Sequence, residues 1–491
     1  MRPLGGSLRL WPFAAALSLI AAPSAAAPPP EGRCPDFAAG APGEPPGDAG
    51  PPLLQEGSVL AHGDLLRLAR LFPKEVWAQR EQFFHDGMRM EIGACHRRYP
   101  VAAFYAQATA RFAGRARPDG DGNLLDYVAG LPFPQAEIDP SAEDAAVRWA
   151  WNFQHRYRGA GPVGSFRLLD LPSRIGSPEI YLGTFFYIRT AHRADLVASG
   201  YRVEEADKAL WVAGGRFDEP FSARHLAWRQ IRPLGADRRY QQPDDTFVYV
   251  PTMRKPRRAA TPWVDGIFTP RYTVSGDSGG GPIPFGTGAS SDLGAPQLDA
   301  INPTAGISIS ATEHMRRGFT GLAVRPNAYD WKLVGEREVL APLNTVSEGH
   351  PVSEDRNYGP SGLSVASDRW DVRQAVVLQG RARRPVDELG QIQLWIDWQT
   401  LQPLYFISRR KNGGLLDVGI LLHRFSGDRP RYAAWPGGEP AHVFDPVAAV
   451  FEFVPGGGSG WRRESYDVTS LPVDPKRIRK LTSTDHLVRG R

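Results

Sequence analysis

The side chains best suited to chemistry lie between Asp244 and Pro282, and they point in two directions. Gly276-Asp277-Ser278-Gly279-Gly280-Gly281-Pro282 places a serine among glycines, whose bare backbone lets N–H groups approach a developing oxyanion. This is the pattern of a hydrolase nucleophile, and Thr190-Ala191-His192 upstream offers an imidazole as its base. Spacing argues against it. His192 and Ser278 are only 86 residues apart, too few for the two barrels between which such a triad forms. An extra glycine precedes Pro282, 213 residues follow the serine, and no cysteines frame it. The segment is therefore expected to be a glycine loop between strands. No catalytic residue is assigned and the chain is not expected to be an enzyme; a serine hydrolase using Ser278 is the alternative.

Arg254-Lys255-Pro256-Arg257-Arg258 offers a different chemistry. It follows directly on the alternating strand Asp244 to Pro251, and Pro256 keeps it from continuing as helix. At a sheet rim Arg254, Lys255, Arg257 and Arg258 can hold phosphate or carboxylate through charge-assisted hydrogen bonds, which makes them candidates for an anionic head group or partner contact. A solvated hairpin end is the plainer alternative. Metal and cofactor chemistry has little support. The 11 histidines contain no His-x-x-x-His pair, the cysteines form no Cys-x-x-Cys, and no Gly-Lys-Ser/Thr phosphate loop occurs. No cofactor and no metal are expected.

The elements that would position these groups change character along the chain. Ser58 to Ala78 has the apolar spacing of amphipathic helix, broken at Pro73. Further helices are expected over Val101 to Arg115 and over Ala142 to Tyr157. From about Ser165 the period becomes two, with strands at Ser165 to Leu171, Ile180 to Thr190, Gly200 to Trp211, Thr246 to Val250 and Arg373 to Leu378. The clearest pattern is a meander of Gln391 to Asp397, Leu404 to Arg409 and Leu415 to Phe425. Asn412-Gly413-Gly414 supplies hairpin chemistry between its last two strands. Short spacings require antiparallel pairing. Both faces of the meander are apolar, so both must be covered, one by helix and the other by a cavity for an apolar ligand, an ordinary sandwich core being the alternative. Trp395, Tyr405 and Ile407 are the candidate cavity residues.

The N-terminus sets the compartment. Arg2 and Arg9 form a basic segment ahead of an apolar run, Phe13 to Ala22, followed by Ser24-Ala25-Ala26-Ala27, the pattern of an export signal cleaved after residue 26. About 460 residues follow, enough for a large core. Their net charge falls from +5 to about +3 once Arg2 and Arg9 are removed. Export argues against nucleic acid as the natural partner of this mildly basic surface, leaving anionic lipid, acidic glycan or, more plainly, a basic surface that serves only solubility. Cys34 and Cys95 are an even pair that an oxidising compartment can bond, the alternative being two free thiols.

Several segments together resemble a known family. Gly130-Leu-Pro-Phe-Pro134, Trp151-Asn152 and Arg156-Tyr157-Arg158-Gly159 are similar to the N-terminal signature of the DUF1329 family of exported bacterial proteins. Asp244 to Pro251 with Met253 to Arg258, Tyr329 to Gly335, and Trp395-Ile-Asp-Trp-Gln-Thr-Leu-Gln-Pro403 resemble its later segments. The resemblance implies an α+β, mainly antiparallel fold, a curved half-barrel sheet wrapped around helices as in the lipoprotein carriers LolA and LolB. It divides the chain into a signal peptide (1–26), a disordered Pro/Gly-rich arm (27–57), a helical segment packing on the sheet (58–160) and the half-barrel (161–491). It also implies a soluble periplasmic carrier for a lipid or other hydrophobic molecule, accessory to an inner-membrane exporter of the resistance-nodulation-division type and an outer-membrane partner. A structural envelope protein without ligand is a further alternative.

Overall fold

The computed structural model describes residues 29–35, 54–171, 178–221, 224–251, 255–259, 271–274, 307–310, 324–346, 358–383, 389–454 and 460–489. The expected signal (1–26), most of the Pro/Gly-rich arm (27–57), Arg254 and the Ser278 loop lie outside the described residues.

Strands β1 (Val59–Leu60) and β2 (Met90–Ile92) enclose a 3-10 helix, His62–Leu71, and two short helices, α1 (Lys74–Ala78) and α2 (Arg80–Phe83). Pro73 separates the 3-10 helix from α1, as its missing N–H requires. Helices α3 (Ala103–Phe112) and α4 (Ala145–His155) follow. Six strands come next: β3 (Val163–Leu171), β4 (Glu179–Arg189), β5 (Ala209–Glu219), β6 (Ala227–Pro233), β7 (Asp245–Val250) and β8 (Lys255–Ala259). Seven more are β9 (Tyr329–Ala341), β10 (Arg369–Ala382), β11 (Leu389–Asp397), β12 (Pro403–Arg410), β13 (Leu415–Phe425), β14 (Phe444–Phe453) and β15 (Gly460–Thr469). Helices α5 (Pro475–Thr482) and α6 (Asp485–Arg489) end the described chain.

These 15 strands form one large, curved sheet in the order β1-β2-β10-β11-β12-β13-β14-β15-β3-β4-β5-β6-β7-β8, with β9 also paired to β10. Its named strands pair antiparallel except β2, which runs parallel to β10. The path starts at β1 and ends at β8, so the sheet does not close. The expected mainly antiparallel α+β class is what the chain adopts. In the hairpin joining β12 and β13, Gly413 takes φ +83° and donates to the Arg410 carbonyl at 2.9 Å, a conformation that side chains resist.

Two cores lie on opposite faces of the meander. Ile392, Leu394, Ile396, Phe406 and Leu416 pack with Tyr105 and Ala108 of α3 and Trp149 and Phe153 of α4. Trp395, Leu404, Tyr405, Ile407, Val418 and Ile420 pack with Leu65, Leu68 and Leu71 of the 3-10 helix, Val76 of α1 and Phe83 of α2. Both faces are covered, and both by helices. Strict alternation would group Leu404 with Phe406 and Leu416 with Val418, but the structure separates both pairs. The register shifts at Trp395/Ile396 and Ser408/Arg409 account for this, since they leave Leu404 and Leu416 as the extra residues of bulges.

The short piece of the arm that is described is tied to the body. Cys34 and Cys95 are bonded, Gly32 N–H donates to the Cys95 carbonyl at 2.8 Å, and Arg98 N–H donates to Glu31 Oε1 at 2.9 Å. The bridge spans 61 residues of sequence. Cys34→Ser/Cys95→Ala is expected to lower unfolding free energy by about 3 kcal/mol, because the unfolded chain regains the freedom of that loop. Urea denaturation checks this, and an unchanged midpoint would show that the bridge does not constrain the unfolded chain.

Candidate functional site

Helix α3 presents Tyr105, Ala106, Thr109, Ala110 and Ala113 along one side, at the spacing that keeps side chains on one helical face. Its three alanines are small enough to leave a cleft beside the helix. The far wall is brought close by a specific contact: Thr109 Oγ1 donates to the Tyr105 carbonyl at 2.9 Å and accepts from Leu131 N–H at 2.8 Å. This approach requires glycine at 130. Gly130 has φ +83°, and a Cβ there would sit 2.4 Å from the Thr109 backbone nitrogen.

The Pro-Phe-Pro sequence that follows is held by Asn152 of α4, which is fully buried. Its Nδ2 donates to the Phe133 carbonyl at 2.6 Å, and its Oδ1 accepts from Phe133 N–H at 3.0 Å. Gln135 then reaches the β11–β12 turn, donating to the carbonyls of Trp398 and Gln399 at 3.2 and 3.1 Å. Asp397 organises that turn. Its Oδ2 accepts from Thr400 N–H at 2.7 Å, and its carboxylate is gripped by Arg373 at 2.7 and 3.1 Å. Gln399 continues the network, donating to the Tyr99 carbonyl at 3.0 Å. From α4, Arg156 donates to Gln402 Oε1 at 3.1 Å. Burial pulls the pKa of this guanidinium well below its usual value, the nearby Arg158 charge adding to the effect.

These contacts enclose a cleft of about 470 Å³, lined by Tyr105, Ala110, Leu131, Tyr157, Trp398 and Phe444 among others. Gln135, Glu137, Gln402 and His442 add a few polar groups. A mostly apolar concavity of this size with sparse polar groups is the form of a small-molecule site. Burial raises the pKa values of Tyr105 and Tyr157, so both phenols stay protonated at neutral pH. The Tyr157 hydroxyl donates to the Ala441 carbonyl at 2.7 Å and accepts from Trp435 Nε1 at 3.1 Å.

The residues named from sequence are placed differently. Trp395, Tyr405 and Ile407 lie in the core under the N-terminal helices, and the Tyr405 hydroxyl donates to the Leu340 carbonyl. None of the three lines this cleft, whose floor is the next turn, Trp398 to Gln402. The signal that could have found it was in view: segments 130–134, 156–159 and 395–403 all contribute to its lining or framework. Lys255, Arg257 and Arg258 belong to β8, an end strand paired with β7, where Pro256 costs no interior hydrogen bond. Arg254 and Ser278 lie outside the described residues. His192 donates through Nδ1 to the Val128 carbonyl at 2.7 Å, assigned by hydrogen-bond geometry, and borders a cavity of about 240 Å³ with Asp237 and Tyr127. Among the described residues no serine, cysteine or threonine lines that cavity. Among the described residues no group of three His, Cys, Asp or Glu side chains is placed to hold a metal ion.

The sequence model of the family described as "Protein of unknown function (DUF1329)" matches residues 76–274 and 295–434. Among solved structures, a DUF1329 family protein from Desulfovibrio piger is similar, at 14% identity and a TM-score of 0.34, with 65% of this chain and 89% of that chain covered. A LolA superfamily protein from Nitrosomonas europaea is similar at 12% identity and a TM-score of 0.33, with 70% and 98% covered. A domain described as an outer membrane lipoprotein-sorting protein, from Vibrio parahaemolyticus, is similar at 10% identity and a TM-score of 0.34, with 67% and 93% covered. No match was found among curated proteins.

Proposed function

The chain belongs to the DUF1329 family, and from its cleft we propose that it is a periplasmic carrier that holds a lipid or other hydrophobic molecule without covalent chemistry. The observation that carries this is the 470 Å³ cleft, whose walls are apolar and whose frame is built from three separate sequence motifs. Burying a sixteen-carbon chain can yield up to about 12 kcal/mol at roughly 0.8 kcal/mol per CH₂, before ordering costs are subtracted. That offsets the similar cost of taking the chain out of a bilayer, so transfer between membrane and cleft is close to balanced. Export is supported by the basic and apolar N-terminal pattern and by the Cys34–Cys95 bridge, which suits an oxidising compartment. A membrane exporter of the resistance-nodulation-division type is the proposed donor or acceptor of the cargo, on the family resemblance alone.

Ala110 is exposed on α3 and faces the cleft, so Ala110→Trp should fill it without disturbing either core. With the neutral fluorescent probe N-phenyl-1-naphthylamine, the full chain is expected to bind and the variant to bind at least tenfold more weakly. Equal binding by the two proteins would overturn the assignment of the cleft.

A further inference from the structure

A second cavity, of about 710 Å³, lies far from α3, between the sheet and the C-terminal helices. Helix α5 packs on β5, and α6 packs on β6, β7 and β8. Ile478 of α5 anchors this cover in a small apolar cluster with Phe186, Ile188 and Val212. Beside the anchor the cover stands off the sheet. Val163, Phe186, Ala227, Leu481 and Leu487 give the space apolar walls, while Lys476, Arg477 and Lys480 stand at its rim. Among the described residues, the only carboxylate that lines it is Asp474, which is committed to the start of α5, where it accepts from Lys476 N–H at 2.6 Å.

The group that decides what this cavity holds is Arg229. It projects from β6 into the space and is 5% exposed. One nitrogen, Nη1, donates to the carbonyls of Lys480 and Ser483 at the end of α5. Nε is buried and has no acceptor among the described residues, and no carboxylate among them forms an ion pair with this side chain. The ring of Phe186 lies 5.7 Å from the guanidinium carbon. Desolvation alone pulls the pKa down to about 10, so the side chain stays charged at neutral pH. A buried cation facing a cavity without a counter-ion is costly, and an anion entering the cavity would remove that cost.

We propose that this cavity is a second binding site, for a long-chain carboxylate whose head group pairs with Arg229 and whose alkyl chain lies along Phe186, Leu481 and Leu487. The planar Arg229 guanidinium is the geometric match of a carboxylate. The rim lysines add long-range attraction, which salt weakens. Because Arg229 also ties down the end of α5, the same side chain couples ligand and cover. The site does not depend on the α3 cleft, and each can fail alone.

Laurate binding to the full-length Ala110→Trp protein, followed by titration calorimetry, tests this, since the α3 cleft is then filled. One laurate per chain is expected. Arg229→Met should weaken laurate at least tenfold and leave dodecanol unchanged. Arg229→Met removes a helix contact, so the exposed pair Lys476→Glu/Lys480→Glu provides a second measurement. It should weaken laurate severalfold at low salt and little at high salt. Absence of laurate binding to Ala110→Trp, equal laurate affinity with and without Arg229, or no response to the rim substitutions would each overturn the proposal. None of those results bears on binding of the neutral probe to the α3 cleft.

Discussion

Arg373→Met is expected to destabilise the protein by about 3–5 kcal/mol and to abolish neutral-probe binding at the α3 cleft. Arg373 is 3% exposed and Asp397 1% exposed, so removing the cation leaves a carboxylate buried without its partner. The damage would be directional. Asp397 Oδ2 fixes Thr400 N–H, and Arg373 also donates to the Arg97 carbonyl at 2.6 Å and to Gln399 Oε1 at 3.3 Å. Those residues set the floor of the cleft. The double variant Arg373→Met/Asp397→Asn separates charge from scaffold. Asparagine still offers Thr400 an acceptor but brings no charge into the core, so the double variant should recover about half of the lost stability. If denaturant unfolding showed the double variant to be no more stable than Arg373→Met, the cost would lie in lost packing rather than in an unpaired charge.

The same pair shows what a sequence can and cannot reveal. Gln391 to Asp397, Leu404 to Arg409 and Leu415 to Phe425 read as strands because alternation and the Asn-Gly-Gly turn agree, and β11, β12 and β13 follow those limits closely. The helices at Ala103 and Ala145 were equally legible, since their apolar stripes have the helical period. Strand β14, Phe444 to Phe453, was not: every residue in it is buried, so it has no alternation to detect, and Pro446 looks like a breaker. Strand β5 starts at Ala209 rather than near Gly200, because Glu204–Ala206 forms a 3-10 turn with Val203 at its N-cap. Cavity residues were the hardest. Period two puts Trp395, Tyr405 and Ile407 on one face, where they pack together, but which face lies under the N-terminal helices and which under α3 and α4 depends on segments hundreds of residues away. The Arg373–Asp397 contact joins neighbouring strands only 24 residues apart, whereas Arg229 is capped by Lys480 of α5, 251 residues away.

Acidification should separate two buried groups of opposite sign. Asp371 is 2% exposed on β10, and burial raises its pKa to about 7 despite the opposing charges of Arg373, Arg369 and Arg97. The folded protein therefore keeps a proton that the unfolded chain loses above about pH 4, so this residue's contribution to stability falls as pH rises from about 4 to about 7 and is level above that. The difference corresponds to roughly 4 kcal/mol. His423 acts the other way. It is 1% exposed, and burial with the nearby Arg156 charge depresses its pKa to about 3. The unfolded chain takes up a proton below about pH 6.5 that the folded chain refuses, so stability is lost as pH falls, by about 2 kcal/mol at pH 5. Asp371→Asn should then be more stable than the parent at pH 8, with the advantage shrinking steadily towards pH 4, because the neutral amide never requires a buried charge. His423→Leu should flatten the acid limb instead, gaining on the parent as pH falls from 7 to 5. Urea unfolding of the three proteins at pH 8, 6.5 and 5 measures both slopes. A constant offset between parent and Asp371→Asn across that range would mean that the aspartate is charged in the folded protein at every pH, and its three arginine neighbours, rather than burial, would then control the top of β10.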